Sequence, residues 1–156
     1  MSSADASAAP HKRQARGSRR SSRELALQAL YQWLLSGDDV STLLAQAAEK
    51  KEFARADAEY FRVLLRGVIE RAAQLVEAVQ PFLDRPVEQL SPIERALLLM
   101  AAYELIVALD VPYRVAINEA VELAKSYGGT DGYKYVNGVL DKLAARVRPS
   151  EVRKPA

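Results

Sequence analysis

The chain has 156 residues, with 22 Lys and Arg against 20 Asp and Glu, no cysteine and one histidine, His11. Without cysteine there are no disulfides, thiolate metal sites or cysteine nucleophiles, and a lone histidine set among Ser, Ala, Pro and Arg argues against histidine catalysis and His-rich metal centres. The small net charge conceals an asymmetry. Residues 1–23 hold six cations against Asp5 alone, a formal +5, while the other sixteen cations and nineteen acids leave the rest at −3; such an arm points to a polyanion partner.

Residues 1–20, rich in Ser, Ala and Arg, read as a disordered basic arm; a helical domain over 21–148 and a tail over 149–156 follow. Ser21 and Glu24 fit a capping box. It opens a helix whose inner face is Ala26, Ala29, Leu30, Trp33 and Leu34 and which ends at Ser36-Gly37-Asp38-Asp39. A shorter helix around Val40 to Glu49 carries Leu43 and Leu44, and Lys50-Lys51-Glu52 forms a charged connection. From Asp57 a long apolar seam (Phe61, Leu65, Val68, Ala72, Leu75, Val79) runs to Pro81. After a link containing Pro86, Ser91-Pro92-Ile93-Glu94 signals a helix start. The helix it opens is apolar nearly all round from Ala96 to Ala102 and is expected to be enclosed by the others. Pro112 opens the next helix, with Ile117, Ala120, Val121, Ala124 and Tyr127 inward, closed by Gly128-Gly129. Asp131 caps a last helix, with Val136, Val139, Leu140, Leu143, Ala144 and Val147 inward, ending near Pro149. Gly67 and Gly138 fall inside helices, where glycine costs about 1 kcal/mol relative to alanine, so close approach of neighbouring backbones is expected at both. The reading is all-α, with six or seven helices.

Cations precede the apolar run of the first helix, but Gln28, Tyr31 and Gln32 interrupt it, so it is no signal-peptide core. The longest uninterrupted apolar block, Ala96 to Tyr103, is too short to span a bilayer. The expectation is a soluble cytoplasmic protein with no membrane contact.

Few groups suit catalysis. Glu119 with Glu122 and Asp57 with Glu59 are carboxylates close in sequence, but such pairs on helices are usually solvated faces. Gly128-Gly129-Thr130-Asp131-Gly132 lacks the preceding strand and the lysine of a nucleotide-binding loop. No metal or cofactor is indicated, and no enzyme activity is expected. The basic cluster instead tightens toward the first helix, with Arg20 and Arg23 in or beside its first turn. Cations there oppose the helix dipole, and an anion held at that end would offset the cost. Tyr133, Lys134 and Tyr135 place aromatics beside a cation at the start of the last helix, a pattern suited to unstacked bases; packing on the core is the other fate open to those tyrosines.

Three stretches carry a resemblance. They are Ser18-Arg19-Arg20-Ser21-Ser22-Arg23-Glu24 running on to Leu27-Gln28-Ala29-Leu30-Tyr31-Gln32-Trp33, then Ile93-Glu94-Arg95-Ala96 through Tyr103-Glu104-Leu105, and Val111-Pro112-Tyr113 onward. The last continues through Ala116-Ile117-Asn118-Glu119-Ala120 to Val136-Asn137-Gly138-Val139-Leu140-Asp141-Lys142. Over about residues 18–148 the chain resembles the NusB family of bacterial transcription antitermination factors. The resemblance implies two packed helical sub-bundles, no catalysis, and binding of the single-stranded boxA element of ribosomal-RNA transcripts together with NusE, a ribosomal small-subunit protein. NusA, NusG and RNA polymerase are the implied larger assembly, with ribosomal-RNA maturation as a further role. Arg19, Arg20 and Arg23 fall in the family's arginine-rich RNA-binding segment, with Arg16 just before it and Gln28 one helical turn beyond Arg23. Asp131, Lys134 and Tyr135 fall at the turn and helix start that complete the RNA surface. Tyr31, Glu88 and Glu94 fall on the NusE-facing side, where acids suit a basic ribosomal protein. Ser21 departs from the pattern, since many relatives have another arginine there. A protein-only scaffold whose arm grips an acidic partner, an RNA hydrolase, and self-association as a homodimer remain the alternatives.

Overall fold

The helical periodicity is realised along the whole body. The computed structural model describes residues 17–127, 129 and 131–154; among them are eight α-helices, three 3-10 turns and no strand. The expected disordered arm falls mostly outside the described residues, as do Lys12, Arg13 and Arg16. In chain order the helices are α1 Arg19–Ser36, α2 Val40–Ala48, α3 Ala58–Glu70, α4 Ala72–Val79, α5 Pro92–Ile106, α6 Tyr113–Tyr127, α7 Gly132–Val147 and α8 Pro149–Arg153. The 3-10 turns are Lys51–Arg55, Gln80–Phe82 and Val87–Gln89.

Eight helices replace the expected six or seven for two reasons. The long seam is not one helix: Arg71 leaves helical geometry at φ −109°, ψ 16°, its amide closing α3 onto the Gly67 carbonyl while its own carbonyl opens α4. Pro149 does not end the chain's order but opens α8, since proline is pre-organised for a first helical position. There Glu151 accepts from the Tyr113 amide (2.9 Å) and from Arg148 (2.6 Å).

The first helix also starts earlier than Ser21. Ser18 is the capping residue, its Oγ accepting from the Ser21 amide at 3.1 Å. Ser18 is itself pinned, donating its amide to Arg55 O (2.8 Å) and accepting at its carbonyl from the Asp57 amide (3.2 Å). Gly17 makes this clamp possible: its φ is +74°, and a Cβ there would stand 2.4 Å from the Arg55 carbonyl. The chain entering α1 is therefore tied to the segment before α3, and Arg19 and Arg20 belong to the helix.

α1, α2 and α3 pack on one another; α4, α6 and α7 gather on α5, and α8 seats on α7. α5 also touches α1 and α3, and the buried apolar residues form one continuous cluster through it. Its all-round apolar surface explains this: every residue from Ala96 to Leu105 is buried. The Ser91 cap forms as expected, its Oγ accepting from Glu94 N at 3.2 Å. At the far end, buried Arg148 donates to the carbonyls of Glu104, Leu105 and Ala108, satisfying the groups a helix C-terminus leaves open. On α1, Leu25 and Leu27 are buried beside Ala26, Ala29 and Leu30, while Trp33 and Leu34 are half-buried at the edge of the core.

The two helical glycines part company. A Cβ on Gly67 would overlap the Tyr103 ring, so what α3 makes room for there is an α5 side chain and not, as expected, a neighbouring backbone. At Gly138 a Cβ would meet nothing within 4 Å, so no neighbouring helix accounts for it. Gly67→Ala is expected to destabilise by about 1–3 kcal/mol through overpacking, despite alanine's better helix propensity. Urea unfolding checks this; a gain in stability would mean that Tyr103 moves aside freely.

Candidate nucleic-acid interface

The α1 N-terminus presents its arginines in three environments. Arg20 is the most open, with a side chain 70% exposed, and donates to both Glu119 oxygens, from Nε at 3.1 Å and from Nη2 at 2.8 Å. These bonds hold the Glu119 carboxyl below its usual range and raise Arg20 further. Arg19 lies with its guanidinium 3.9 Å from the centre of the Tyr60 ring and its Nη1 3.5 Å from Asp110.

Arg23 corrects the sequence reading. It is 4% exposed, with Nε 3.0 and 2.9 Å from the two Glu104 oxygens and Nη2 2.9 Å from Oε2. Tyr60 also donates to Glu104, and its hydroxyl is pushed well up, by burial first and by the Glu104 charge second. Burial alone would lower Arg23; the bonds to Glu104 outweigh it. The anion that offsets cations in this first turn is thus supplied from inside, by Glu104 on α5 and Glu119 on α6. Arg23 is closed off from a phosphate by the fold that holds it.

Gln28 is half-buried in a polar chain. Lys50 donates to its Oε1 (2.7 Å), its Nε2 donates to the Tyr127 hydroxyl (2.9 Å), and Tyr127 donates to Glu24 (2.6 Å). That chain ties α1 to the end of α6, immediately before the turn into α7. Both of Gln28's polar ends are therefore engaged.

At the start of α7, Asp131 occupies the capping position, but its side chain makes no cap hydrogen bond. It pairs instead with Lys134 at 3.4 Å, both groups well exposed. Tyr133 is half-buried with the Lys125 ammonium 5.2 Å from its ring centre. Tyr135 is half-buried too; it donates to Asp84 Oδ1 at 2.9 Å and accepts from the Asp84 amide at 3.3 Å. Bonds from Arg85 first and Tyr135 second hold the Asp84 carboxyl at about 2. Tyr135 therefore neither enters the core nor stands free: its hydroxyl is anchored, the Arg85 guanidinium stands 5.6 Å from its ring centre, and the ring packs against the core at the edge of a groove.

The residues expected on the protein-facing side are more scattered. Tyr31 is 38% exposed on α1, and Glu88 is exposed on the Val87–Gln89 turn. Glu94 leans on α7 instead, its Oε2 3.0 Å from where a Cβ of Gly132 would be. It borders the Asp131–Lys134 turn, so the two expected surfaces meet there.

The carboxylate pairs weighed for catalysis are separated. Glu119 holds Arg20 while Glu122 pairs with Lys125, and Asp57 caps α3 while Glu59 pairs with Arg62. Among the described residues no group of acids or histidines is arranged to hold a metal, and no helix is long and apolar enough to cross a membrane. Glu119, Asp110 and Glu104 are the contributors that sequence reasoning missed. Their only signal was the uncompensated charge at the α1 start.

The sequence model of the NusB family matches residues 20–145. The chain belongs to the NusB family. It is 57% identical over 137 residues to the transcription antitermination protein NusB of Cupriavidus pinatubonensis, covering 88% of this chain and 82% of that one. The NusB fold is matched by T. maritima NusB, with a TM-score of 0.77 at 30% identity over 88% of this chain and 97% of that one. A crystal structure of antitermination factors NusB and NusE in complex with dsRNA matches with a TM-score of 0.76 at 26% identity, covering 82% and 96%. Arg19, Arg20 and the α7 start all lie inside or at the edge of the NusB match.

Proposed function

We propose that this chain is a transcription antitermination factor that binds RNA together with NusE and acts without catalysis. The observation that carries the reading is the pair of exposed guanidiniums, Arg19 and Arg20, at a helix N-terminus, Arg19 resting on Tyr60 beside Asp110 and Arg20 reaching outward from Glu119. A phosphate displaces the exposed Asp110 carboxylate at little cost and competes with the mostly buried Glu119 for the outward edge of Arg20. Membership of the NusB family, and a structural neighbour described with NusE and RNA, support the choice of partners.

The finer reading is that the RNA is the single-stranded boxA element of ribosomal-RNA transcripts, and that NusA, NusG and RNA polymerase complete the assembly. Lys134 and the groove-lining ring of Tyr135 suit an unstacked strand better than a duplex. Arg19, Arg20, Lys134 and Tyr135 are the RNA-facing residues in this scheme; Asp131 orients Lys134, and Gln28 and Arg23 hold the surface from behind. Tyr31 and Glu88 face NusE, with Glu94 at the seam between the partners.

The test is a titration of a labelled boxA strand, a scrambled strand and a boxA duplex, each with and without NusE. The single strand is expected to bind tightest and to gain from NusE. Equal binding of boxA and scrambled strands would leave only a non-specific polyanion surface, and preference for the duplex would overturn the single-strand reading.

Glu119 is an internal competitor for Arg20. Glu119→Gln is expected to tighten RNA binding a few-fold, read by fluorescence anisotropy; weaker binding would show that Glu119 aims Arg20 at the RNA. The same variant should blunt the acid limb of stability. Glu119 titrates below its ordinary value in the folded chain, so the unfolded chain binds the proton first, and the Arg20 bond stabilises above the usual carboxylate range and is lost as pH falls through the lowered value.

A further inference from the structure

Gly138 has no structural explanation within the fold: it is a mid-helix glycine at a position where alanine would fit freely and would favour the helix. It lies on an open groove of about 430 Å³ between α7 and the 81–84 segment, with Phe82 and Tyr135 also in its lining. Lys134 and Lys142 stand one turn to either side of it on the same helical face, and both line the groove. One turn further on, Arg146 lines a second groove between α7 and α4, and Pro81 borders both. Lys134, Gly138, Lys142 and Arg146 thus form a stripe at four-residue spacing over about 18 Å of helix. Lys142 and Arg146 are exposed and, among the described residues, make no ion pair.

We infer that this stripe is a second stretch of the RNA path, in which Lys142 and Arg146 neutralise phosphates beyond those at the α7 start, and the bare backbone at Gly138 admits a nucleobase beside Phe82 and Tyr135. The inference rests on the RNA reading above and adds a site to it. Lys134, Lys142 and Arg146 outnumber the acids of the two linings, Asp84 and Glu77, the track begins at Lys134 where the first stretch ends, and the groove has the aromatic wall that a stacked base requires. The bond from Tyr135 to Asp84 fixes the ring, so no ordering of that wall is needed on binding.

The experiment uses the full chain, a short single strand reaching only the arm and the α7 start, and a longer strand extended by several nucleotides at each end. In the Lys142→Ala/Arg146→Ala variant, the long strand is expected to bind about tenfold more weakly, with a log–log salt slope shallower by about 1.4, at about 0.7 for each phosphate no longer neutralised. The short strand should bind as to the wild type. Gly138→Ala is expected to raise the melting temperature while weakening the long strand several-fold, a combination that damage to the fold does not produce. Unchanged long-strand affinity and slope in the double variant, with the wild type binding both strands, would overturn the track alone. Failure of the wild type to bind either strand at low ionic strength would overturn the RNA reading and the track with it. If the double variant instead lost binding to polyglutamate while keeping RNA, the stripe would belong to an acidic protein.

Discussion

Arg23→Ala is expected to destabilise the chain by about 3–5 kcal/mol, because it leaves the Glu104 carboxylate buried with the Tyr60 hydroxyl as its remaining side-chain donor. The side chains of Arg23 and Glu104 are 5% and 2% exposed, so water cannot replace the missing partner. The reverse change, Glu104→Ala, should cost somewhat less, because the guanidinium keeps Glu119 at 3.9 Å from Nη1. The pair itself is a different matter: taking two charges out of water opposes their attraction, and an apolar replacement of similar volume is often neutral. Arg23→Met combined with Glu104→Leu is therefore expected to recover most of the stability. Urea unfolding of these four chains and of the Arg23→Met and Glu104→Leu single variants completes the cycle. A loss below about 1 kcal/mol in both alanine variants would mean that water reaches the pair. The cycle also bears on function, since a weakened RNA interaction in Arg23→Ala is expected to track the folded fraction.

Arg19→Ala/Arg20→Ala is expected to act the opposite way, on binding far more than on folding. Loss of the Glu119 bond and of the Tyr60 contact is partly offset because cations at a helix N-terminus oppose its dipole, so the thermal midpoint should fall only slightly, and far less than in Arg23→Ala. RNA affinity at low salt should fall at least tenfold, and the log–log salt slope should become shallower by about 1.4 when two phosphates of a single strand go unneutralised. Titrations at several salt concentrations read both quantities. A slope equal to that of the wild type would remove the α1 arginines from the RNA path. Together the two variants divide one arginine cluster, three residues within a single turn and a half, into a binding pair and a buried anchor.

That division was not legible in the residue string. Arg19, Arg20 and Arg23 look alike there, and all three fall in the family's RNA-binding segment. Helical phase does not separate them, since Arg19 and Arg20 precede Arg23 by four and three residues, on the same side of α1 as Ala26, Leu27 and Leu30. What sets Arg23 apart is its buried partner. Glu104 is 81 residues away on a helix whose neighbours are all apolar, and nothing local marks it as the one acid placed to receive a guanidinium. The mistaken cap at Ser21 has a similar cause. Ser18 and Ser21 are both good capping residues, and the choice fell to Ser18 because Gly17 and the Arg55 carbonyl hold the chain there.

Local chemistry was enough for the elements themselves. Periodic apolar residues, the Ser91-Pro92 start and the proline and glycine stops placed most helices and marked α5 as the enclosed one, because these signals act within a turn or two of the backbone. Placing charge is another problem. Whether a cation meets solvent, a carboxylate or a phosphate depends on which distant helix folds against it. That is why Glu104, Glu119 and Asp110 entered the site only through packing, and why the unexplained glycine on α7 became visible only once its surroundings were known to be open.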